Sequence, residues 1–332
     1  MSEHARSPAA IAVERRGSLL ILISAAAFGI MPVFAKLAYG EGEGPKTLLA
    51  LRFSIAAAGL WLLWAVAYAR GERVRLTWRV LAAIIAMGAI GYVGQSFAYF
   101  TAISRIPAST TGLLLYTYPV LVTLLARLIY KEPLTRLKVV ALVIAGAGAL
   151  LVLGSNGGAV GSNVPLDPEG IAWGLSAAIF YSGYIIAGTR FTSGVNPIFA
   201  SAVIVTAAAV VYVVWGAALG EINLEISIPA LIWSTLIALL STVVAIAAFV
   251  AGLPQVGPSR AAIMSTIEPA VTVGLSALVL HEVLSLGQVL GGVLILTAVL
   301  ILQGGSLWAT TRRNRQWKKS KMGIEGHQDE SG

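Results

Sequence analysis

The chain carries two related stretches, PASTTGLLLYTYPVLVTLLARLIYKEPL at residues 107–134 and GPSRAAIMSTIEPAVTVGLSALVLHEVL at residues 257–284. Pro119 in the first corresponds to Pro269 in the second, an offset of 150 residues. The correspondence continues upstream at an offset of 152, where it is carried by Ser24-Ala25-Ala26, Phe28 and Pro45 in one copy and Ser176-Ala177-Ala178, Phe180 and Pro197 in the other. We therefore interpret the chain as an internal duplication.

The composition of the chain indicates a membrane protein. Of its 332 residues, 57% are hydrophobic and only 11% are charged, against about 25% charged in a soluble domain. The apolar runs do not alternate with polar residues, which disfavours a transmembrane β-barrel. Roughly 20 apolar residues suffice for one helical crossing. We predict ten helices, at residues 17–39, 46–68, 79–101, 107–128, 135–154, 168–190, 197–218, 228–251, 258–280 and 284–304.

An odd number of helices in each copy decides the predicted architecture. Five crossings per copy place the second copy upside down relative to the first, and inverted repeats are typical of secondary transporters. The predicted fold class is an all-α integral membrane protein with ten transmembrane helices in two inverted five-helix repeats. The predicted organisation is a cytoplasmic N-terminal segment at 1–16, a first repeat at 17–154, a linker at 155–167, a second repeat at 168–304 and a basic cytoplasmic tail at 305–332.

The distribution of Lys and Arg predicts that both termini are cytoplasmic. In that orientation all but four of the 23 Lys and Arg residues lie in cytoplasmic loops and tails, as the positive-inside rule expects. The four that face outward are Lys36, Lys46, Arg52 and Arg105. Topology thus explains the net charge of +8. We predict a multi-pass protein of the cell inner (plasma) membrane whose partners are a small-molecule substrate and membrane lipid, with no nucleic acid.

No cofactor, metal site or enzymatic activity is predicted. The chain has no cysteine and only three histidines, His4, His281 and His327, which are far apart in sequence and do not form a metal-binding pattern. Neither a nucleotide-binding motif nor a Ser/His/Asp set is evident.

The two long stretches resemble the drug/metabolite transporter superfamily, in its EamA-type ten-helix branch. The resemblance rests on Arg52, on Tyr118-Pro119 with Glu132, and on Glu268-Pro269 with Glu282. It covers about residues 17–303, and the nearest branch is the one that exports aromatic and neutral amino acids. It implies a central cavity surrounded by helices one, three, four, six, eight and nine, which adds Phe28 and Met31 to the predicted lining.

Glu268 is the acidic residue that lies well inside an apolar run, where an ionisable group costs at least ~2.5–3.5 kcal/mol and normally has a function. Pro269 leaves the carbonyl of Ser265 without its helical partner. We predict a polar substrate site at Ser265 and Glu268, the alternative being a carboxylate that pairs with a buried cation to lock two helices. Pro119 and Pro269 are predicted to kink their helices at matching depth.

Aromatic and polar side chains on predicted helical faces complete the predicted lining, because a tyrosine offers both an apolar ring and a hydroxyl. Ordinary interhelix packing is the alternative for each tyrosine taken singly. The residues are Tyr92, Gln95 and Tyr99 on helix three, Tyr116 and Tyr118 on helix four, and Tyr181 and Tyr184 on helix six.

Three further features are interpreted as structural. Arg52 could bind a carboxylate, but an arginine near a helix end more often extends to the interface or caps carbonyls. Lys36 has the same ambiguity. The small residues of Ala145–Gly148 and of 287–292 allow close helix approach, either to each other or to a second protomer, so that monomer and dimer both remain open.

These features predict a secondary transporter that exports small metabolites, above all aromatic and other neutral amino acids, by alternating access. The alternatives are a carrier of another solute, such as a drug cation, a nucleotide sugar or a lipid-linked sugar, and, more distantly, a membrane sensor or enzyme.

Overall fold

The computed structural model describes residues 8–131, 133–154, 166–223 and 225–302, and all regular secondary structure within them is helical. Eight helices are long and apolar enough to cross a membrane, and two shorter apolar helices follow. They are α1 (Ala12–Gly40), α2 (Pro45–Ala69), α3 (Trp78–Arg105), α4 (Ala108–Tyr130), α5 (Arg136–Leu153), α6 (Pro168–Phe191), α7 (Pro197–Leu219), α8 (Ile228–Val256), α9 (Ile263–Val279) and α10 (Leu286–Leu302).

The all-helical class is confirmed, and each of these ten segments lies where a helix was predicted. Within the described ranges, length and composition qualify α1–α8 as candidate membrane spans, while α9 and α10 are shorter. Residues 1–7, Glu132, most of the predicted linker (155–165) and the predicted basic tail lie outside the described residues.

Short polar side chains and prolines set the helix beginnings. The Thr77 and Thr135 side chains accept hydrogen bonds from the backbone amides of Val80 and Lys138 at the starts of α3 and α5. At the start of α7 the Asn196 side chain accepts from two backbone amides. Such caps satisfy amides that have no partner within the helix.

Two long helices contain a short π-helical segment at equivalent positions. Met87–Tyr92 interrupts α3, and Leu239–Val244 interrupts α8. The two segments are 152 residues apart, the offset that relates the two copies in sequence. Neither contains a proline, so the sequence analysis did not predict them. π-helical segments within α-helices are frequent at functional sites.

A second pair of matched interruptions divides α4 and α9. In α4 the helical pieces are Ala108–Leu115 and Tyr118–Tyr130. The pieces associated with α9 are Pro258–Ser265 and Ile267–Val279. The interruption of α4 lies directly before Tyr118-Pro119, and the interruption of α9 lies one residue before Glu268-Pro269. In both places the proline cannot donate a backbone hydrogen bond. The equivalent residues Lys131 and His281, past the ends of these helices, both have a φ of 54°.

The two copies pack by exchanging helices. Helix α1 of the first copy packs on α8 of the second copy. Helix α6, the equivalent of α1 in the second copy, packs on α3, the equivalent of α8 in the first copy. Likewise α4 packs on α6 and α9 packs on α1. We call α3, α4 and α6 the first bundle, and α1, α8 and α9 the second bundle. The two bundles meet where α4 contacts α9, and α2 packs on α7.

Ion pairs join the two copies at the helix ends. Lys46 pairs with Glu221, and Arg260 pairs with Glu14. Arg105 lies 3.1 Å from a carboxylate oxygen of Asp167 and 2.9 Å from one of Glu169. The backbone amide of Glu169, together with Arg105, keeps the pKa of Asp167 below its ordinary value.

Helices α5 and α10 approach each other closely at two glycines, Gly148 and Gly291. A β-carbon added to Gly148 would lie 2.7 Å from the Gly291 carbonyl oxygen, and one added to Gly291 would lie 2.5 Å from the Gly148 carbonyl oxygen. Of the two arrangements considered for the small-residue patches, the structure therefore shows the intramolecular one at these positions.

We expect Gly148→Ala to lower the unfolding midpoint of the detergent-purified protein, because the new methyl group forces two backbones apart at a cost of about 1–3 kcal/mol. Gly146→Ala is the matched control, since the added β-carbon has no neighbour within 4 Å and alanine favours a helix over glycine. Thermal unfolding followed by tryptophan fluorescence measures both. Equal midpoints for the two variants would contradict the proposed contact.

Candidate functional site

Glu268 lies at the contact between the two bundles. Its carboxylate accepts a hydrogen bond of 3.0 Å from the Tyr116 hydroxyl, which lies within 3.2 Å of the Ser265 carbonyl oxygen as well. Tyr116 is buried, while Glu268 and Ser265 are partly buried. The single proton of Tyr116 is therefore shared between the Glu268 carboxylate and the carbonyl that Pro269 leaves without a helical partner, so the opposite bundle supplies one donor for two acceptors. No Lys, Arg or His forms an ion pair with Glu268 among the described residues.

The interruption of α1 lies directly against this part of α9. Its two helical pieces, Pro8–Gly29 and Met31–Gly40, are separated at Ile30. A β-carbon on Gly29 would lie 2.7 Å from the backbone oxygen of Glu268. The hydroxyl of Thr272 donates to the Gly29 carbonyl at 2.8 Å. The close approach that Gly29 permits therefore holds α1 against α9 at the level of Glu268.

Phe28 and Met31, which the family resemblance added to the lining, flank this interruption. Phe28 is partly buried and Met31 is 9% exposed. Met31 belongs to the same hydrophobic cluster as Val93 and Tyr99 of α3, so it lies between the two bundles.

Five of the predicted tyrosines form a continuous row of ring contacts, which we call the tyrosine row. It starts beside Glu268 and runs from α4 through α6 to α3. The ring-centroid distances are 5.9 Å for Tyr116–Tyr118, 4.7 Å for Tyr118–Tyr181, 6.2 Å for Tyr181–Tyr184 and 5.7 Å for Tyr184–Tyr92. The sequence placed these tyrosines on the faces of three separate helices. In the structure they contact one another.

Gln95 and Tyr99 lie on the turns of α3 that follow Tyr92. Both are buried, at 8% and 4% exposed. Tyr99 belongs to the same hydrophobic cluster as Met31 and Phe53. Its ring packs on Phe100. Among the hydrogen bonds and ring contacts of the described residues, none joins Gln95 or Tyr99 to the tyrosine row.

Arg52 lies at the far end of the tyrosine row, and it is 2% exposed. The sequence interpretation favoured a structural role, in which Arg52 either extends to an interface or caps backbone carbonyls. Arg52 does not extend to an interface, and its hydrogen-bond partners among the described residues are hydroxyls. Its Nε donates to the Thr242 hydroxyl at 3.1 Å, and an Nη nitrogen lies 3.4 Å from the Tyr92 hydroxyl. The guanidinium also lies over the Phe53 and Phe100 rings, at 4.8 and 5.2 Å.

The environment of Arg52 contains no carboxylate partner within ion-pair distance among the described residues. Removing a cation from water costs several kcal/mol unless a counter-charge compensates. Sequence reasoning missed this environment because Thr242 is 190 residues away in the chain. The feature of the sequence that could have indicated a buried environment was the position of Arg52 within an apolar helix.

The row continues beyond Arg52 through residues that the sequence did not single out. Phe53 contacts both Tyr92 and Tyr212, with ring centroids 5.2 and 5.5 Å apart. The Tyr212 hydroxyl hydrogen-bonds Ser96 and the Val93 carbonyl. Because Tyr212 has both hydroxyl contacts satisfied and is 1% exposed, we interpret it as a packing residue.

Glu282 connects the end of α9 in the second bundle to the start of α4 in the first. Its carboxylate accepts from the backbone amides of Ala108 and Ser109 at 2.8 and 3.0 Å, and from the Ser109 hydroxyl at 2.6 Å. A carboxylate at a helix start is stabilised by free amides and by the helix dipole. The end of α9 thus caps the start of α4. Among the described residues, no group of three or more His, Cys, Asp or Glu is arranged to hold a metal.

Comparisons with known proteins agree on a transporter. The model of the EamA-like transporter family matches residues 15–154 and again residues 168–303. An uncharacterized transporter of Synechocystis sp. is 25% identical over 91% of this chain and 97% of its own length. Another uncharacterized transporter, from Bacillus subtilis, is 23% identical over 78% of this chain and 85% of its own length.

A named substrate class comes from one of the similar proteins, and a similar fold is seen in a solved crystal structure. An aromatic amino acid exporter of Ancylobacter novellus is 30% identical over 49% of this chain and 55% of the exporter. A solved crystal structure superposes with a TM-score of 0.60 at 18% identity, over 86% of this chain and 94% of its own, which shows a shared fold.

Proposed function

Because the chain belongs to the EamA-like transporter family, we propose that it exports aromatic and other neutral amino acids by alternating access. It is a multi-pass protein of the inner (plasma) membrane. The relative that is named an aromatic amino acid exporter supports the substrate class, and so does the chemistry of the site.

The proposed topology has ten spans in two inverted repeats. The family model matches twice, once on each copy. The paired π-helical segments and the exchanged helix packing are what a pseudo-two-fold axis in the membrane plane would produce. In this arrangement the shorter helices α9 and α10 are the last two spans of the second copy, just as α4 and α5 are the last two spans of the first.

The single observation that carries the proposed substrate is the joining of Glu268 to the tyrosine row at the bundle contact. A carboxylate with no cationic partner among the described residues can bind the ammonium group of an amino acid. Tyrosine rings next to it offer apolar contact for a side chain and cation–π attraction for an ammonium group. We assign substrate binding to Phe28, Met31, Tyr92, Gln95, Tyr99, Tyr116, Tyr118, Tyr181, Tyr184, Ser265 and Glu268.

Alternating access would proceed by rocking of the first bundle against the second. The contacts between α4 and α9 would break on one side of the membrane and form on the other. Interruptions before Pro119 and Pro269 lie on these two helices, and we assign the hinge role to those prolines. Irregular backbone of this kind is tolerated in a membrane where it is buried in protein or lines a cavity.

A second candidate substrate, an organic cation such as a drug, is favoured by the same unpaired carboxylate. The ammonium group of a drug would bind Glu268 as well as that of an amino acid. Nucleotide sugars and lipid-linked sugars are less suited, because their phosphates require more deep cations than Arg52 and its neighbours supply.

The experiment that tests the proposal is flux of radiolabelled amino acids in proteoliposomes, with and without a pH gradient. We expect saturable transport of phenylalanine, tryptophan and neutral aliphatic amino acids, and little transport of aspartate or lysine. Liposomes without protein are the control. No flux of any amino acid, from protein shown to be folded and inserted, would reject the amino acid assignment. Flux of a quaternary ammonium dye alone would favour the drug carrier.

A further inference from the structure

We propose that Arg52 binds the carboxylate of the transported solute, so that recognition is divided between Arg52 and Glu268 at opposite ends of the tyrosine row. The inference rests on the proposed function and deepens it. It predicts that a carboxylate is required of the substrate, and it assigns to Arg52 a binding role that the sequence did not favour.

The first observation is that the charge of Arg52 is buried with no anionic partner among the described residues, and that its ring contacts, with Phe53 and Phe100, are neutral as well. A guanidinium group has five N–H donors in a planar fork that matches a carboxylate. Within the described part of the chain, two of these donors have partners, and both partners are neutral hydroxyls, those of Thr242 and Tyr92. A buried cation with only neutral partners favours an anion that arrives from outside the fold.

The second observation is the position of Arg52 between the two π-helical segments. Thr242 belongs to Leu239–Val244, and its hydroxyl donates to the carbonyl of Ile237 at 3.0 Å. Its oxygen is thereby left to accept from Arg52. Tyr92 ends the other π-helical segment, Met87–Tyr92. One side chain thus contacts both matched irregular segments, one in each bundle.

The third observation is that Arg52 adjoins the predicted lining. Tyr92 links Arg52 to Tyr184 and the rest of the tyrosine row. The Arg52 guanidinium also lies over the Phe100 ring, which packs on Tyr99 of the predicted lining. A solute that moves along the row therefore passes between an anionic and a cationic side chain. The two side chains would thus meet the ammonium group and the carboxylate of a zwitterion at different points along the row.

The test compares phenylalanine with phenylalaninamide, which keeps the ring and the ammonium group but lacks the carboxylate. Each is measured as a competitor of labelled phenylalanine or, in variants too weak for uptake, by its shift of the unfolding midpoint. For the wild type we expect the amino acid to bind more tightly than the amide. For Arg52→Gln we expect binding of phenylalanine to weaken about 10- to 100-fold, the range for a lost hydrogen bond to a charged group, while binding of the amide changes less than about 3-fold.

Two further variants separate recognition from structure. Thr242→Val removes a neutral partner of Arg52 but leaves the charge of Arg52 in place. The preference for the amino acid over the amide should therefore persist. Arg52→Lys keeps the charge but loses the planar fork, so it should weaken only the amino acid, and it serves where Arg52→Gln does not fold. Equal loss of both ligands in Arg52→Gln and Arg52→Lys, or an unchanged preference, would overturn the inference. Failure of the wild type to bind any amino acid would instead reject the proposed function.

Discussion

Replacing Glu268 with glutamine should lower the rate of amino acid export by roughly 30- to 100-fold. Removing one partner from a desolvated charge pair costs about 2–5 kcal/mol, and the lower part of that range corresponds to this change in rate. Glutamine has nearly the same shape and can still accept a hydrogen bond from Tyr116. The loss would therefore report the negative charge rather than packing. The measurement is initial uptake of labelled phenylalanine into proteoliposomes that contain equal amounts of each variant.

Tyr116→Phe is the matched control for this prediction. It removes the hydroxyl that contacts the Glu268 carboxylate and the Ser265 carbonyl, and it leaves the charge and the ring in place. We expect a loss of only about 3- to 10-fold, the effect of one neutral hydrogen bond. Unchanged flux in Glu268→Gln would make Glu268 a structural residue and return the site to the packing interpretation.

Comparison of the wild type with Glu268→Gln also identifies the driving force of transport. If a pH gradient accelerates wild-type export and Glu268→Gln removes that acceleration, Glu268 carries the coupling proton. If the gradient has no effect on the wild type, transport follows the substrate gradient. If cationic dye flux depends on Glu268 while amino acid flux does not, the drug carrier is the better assignment.

Much of the fold could be predicted because the relevant signals are local. Helix positions follow from long apolar runs, and the interruptions of α4 and α9 follow from Pro119 and Pro269. The duplication was readable because equivalent residues recur at a constant offset. The length of each span was less predictable, since α9 and α10 are shorter than the helices predicted at 258–280 and 284–304.

The candidate site was only partly predictable because its decisive contacts join distant parts of the chain. The sequence indicated that Tyr181 and Tyr184 share a face, but not that Tyr118 and Tyr92 contact them. It also indicated that the Ser265 carbonyl lacks a helical partner, but not that Tyr116, 149 residues away, approaches it. The π-helical segments contain no proline that would mark them in the sequence. The environment of Arg52, which contacts both segments, could therefore not be predicted.

Cross-linking the outer ends of α4 and α9 should abolish transport. Ser109 and Glu282 are in direct contact across the two bundles, with 2.6 Å between the Ser109 hydroxyl and the carboxylate. In the double variant Ser109→Cys, Glu282→Cys, a short bis-methanethiosulfonate reagent should join these ends. If the bundles rock about the substrate site, a fixed outer contact holds the transporter closed on that side. Because the chain has no native cysteine, the reagent can react only at the introduced pair.

The appropriate reference is a second cross-link that leaves the bundle contact free. Lys46→Cys with Glu221→Cys joins α2 to α7, at the site of an observed ion pair and outside both bundles. We expect flux to fall to background only in the cross-linked Ser109/Glu282 pair and to recover on reduction. The uncross-linked double variant corrects for loss of the Glu282 cap, and each single cysteine variant corrects for simple modification. Undiminished flux through a protein with α4 and α9 covalently joined would contradict rocking at this contact. Equal inhibition by both cross-links would mean that α2 and α7 move as well, so that the moving units would be larger than the two bundles defined by packing.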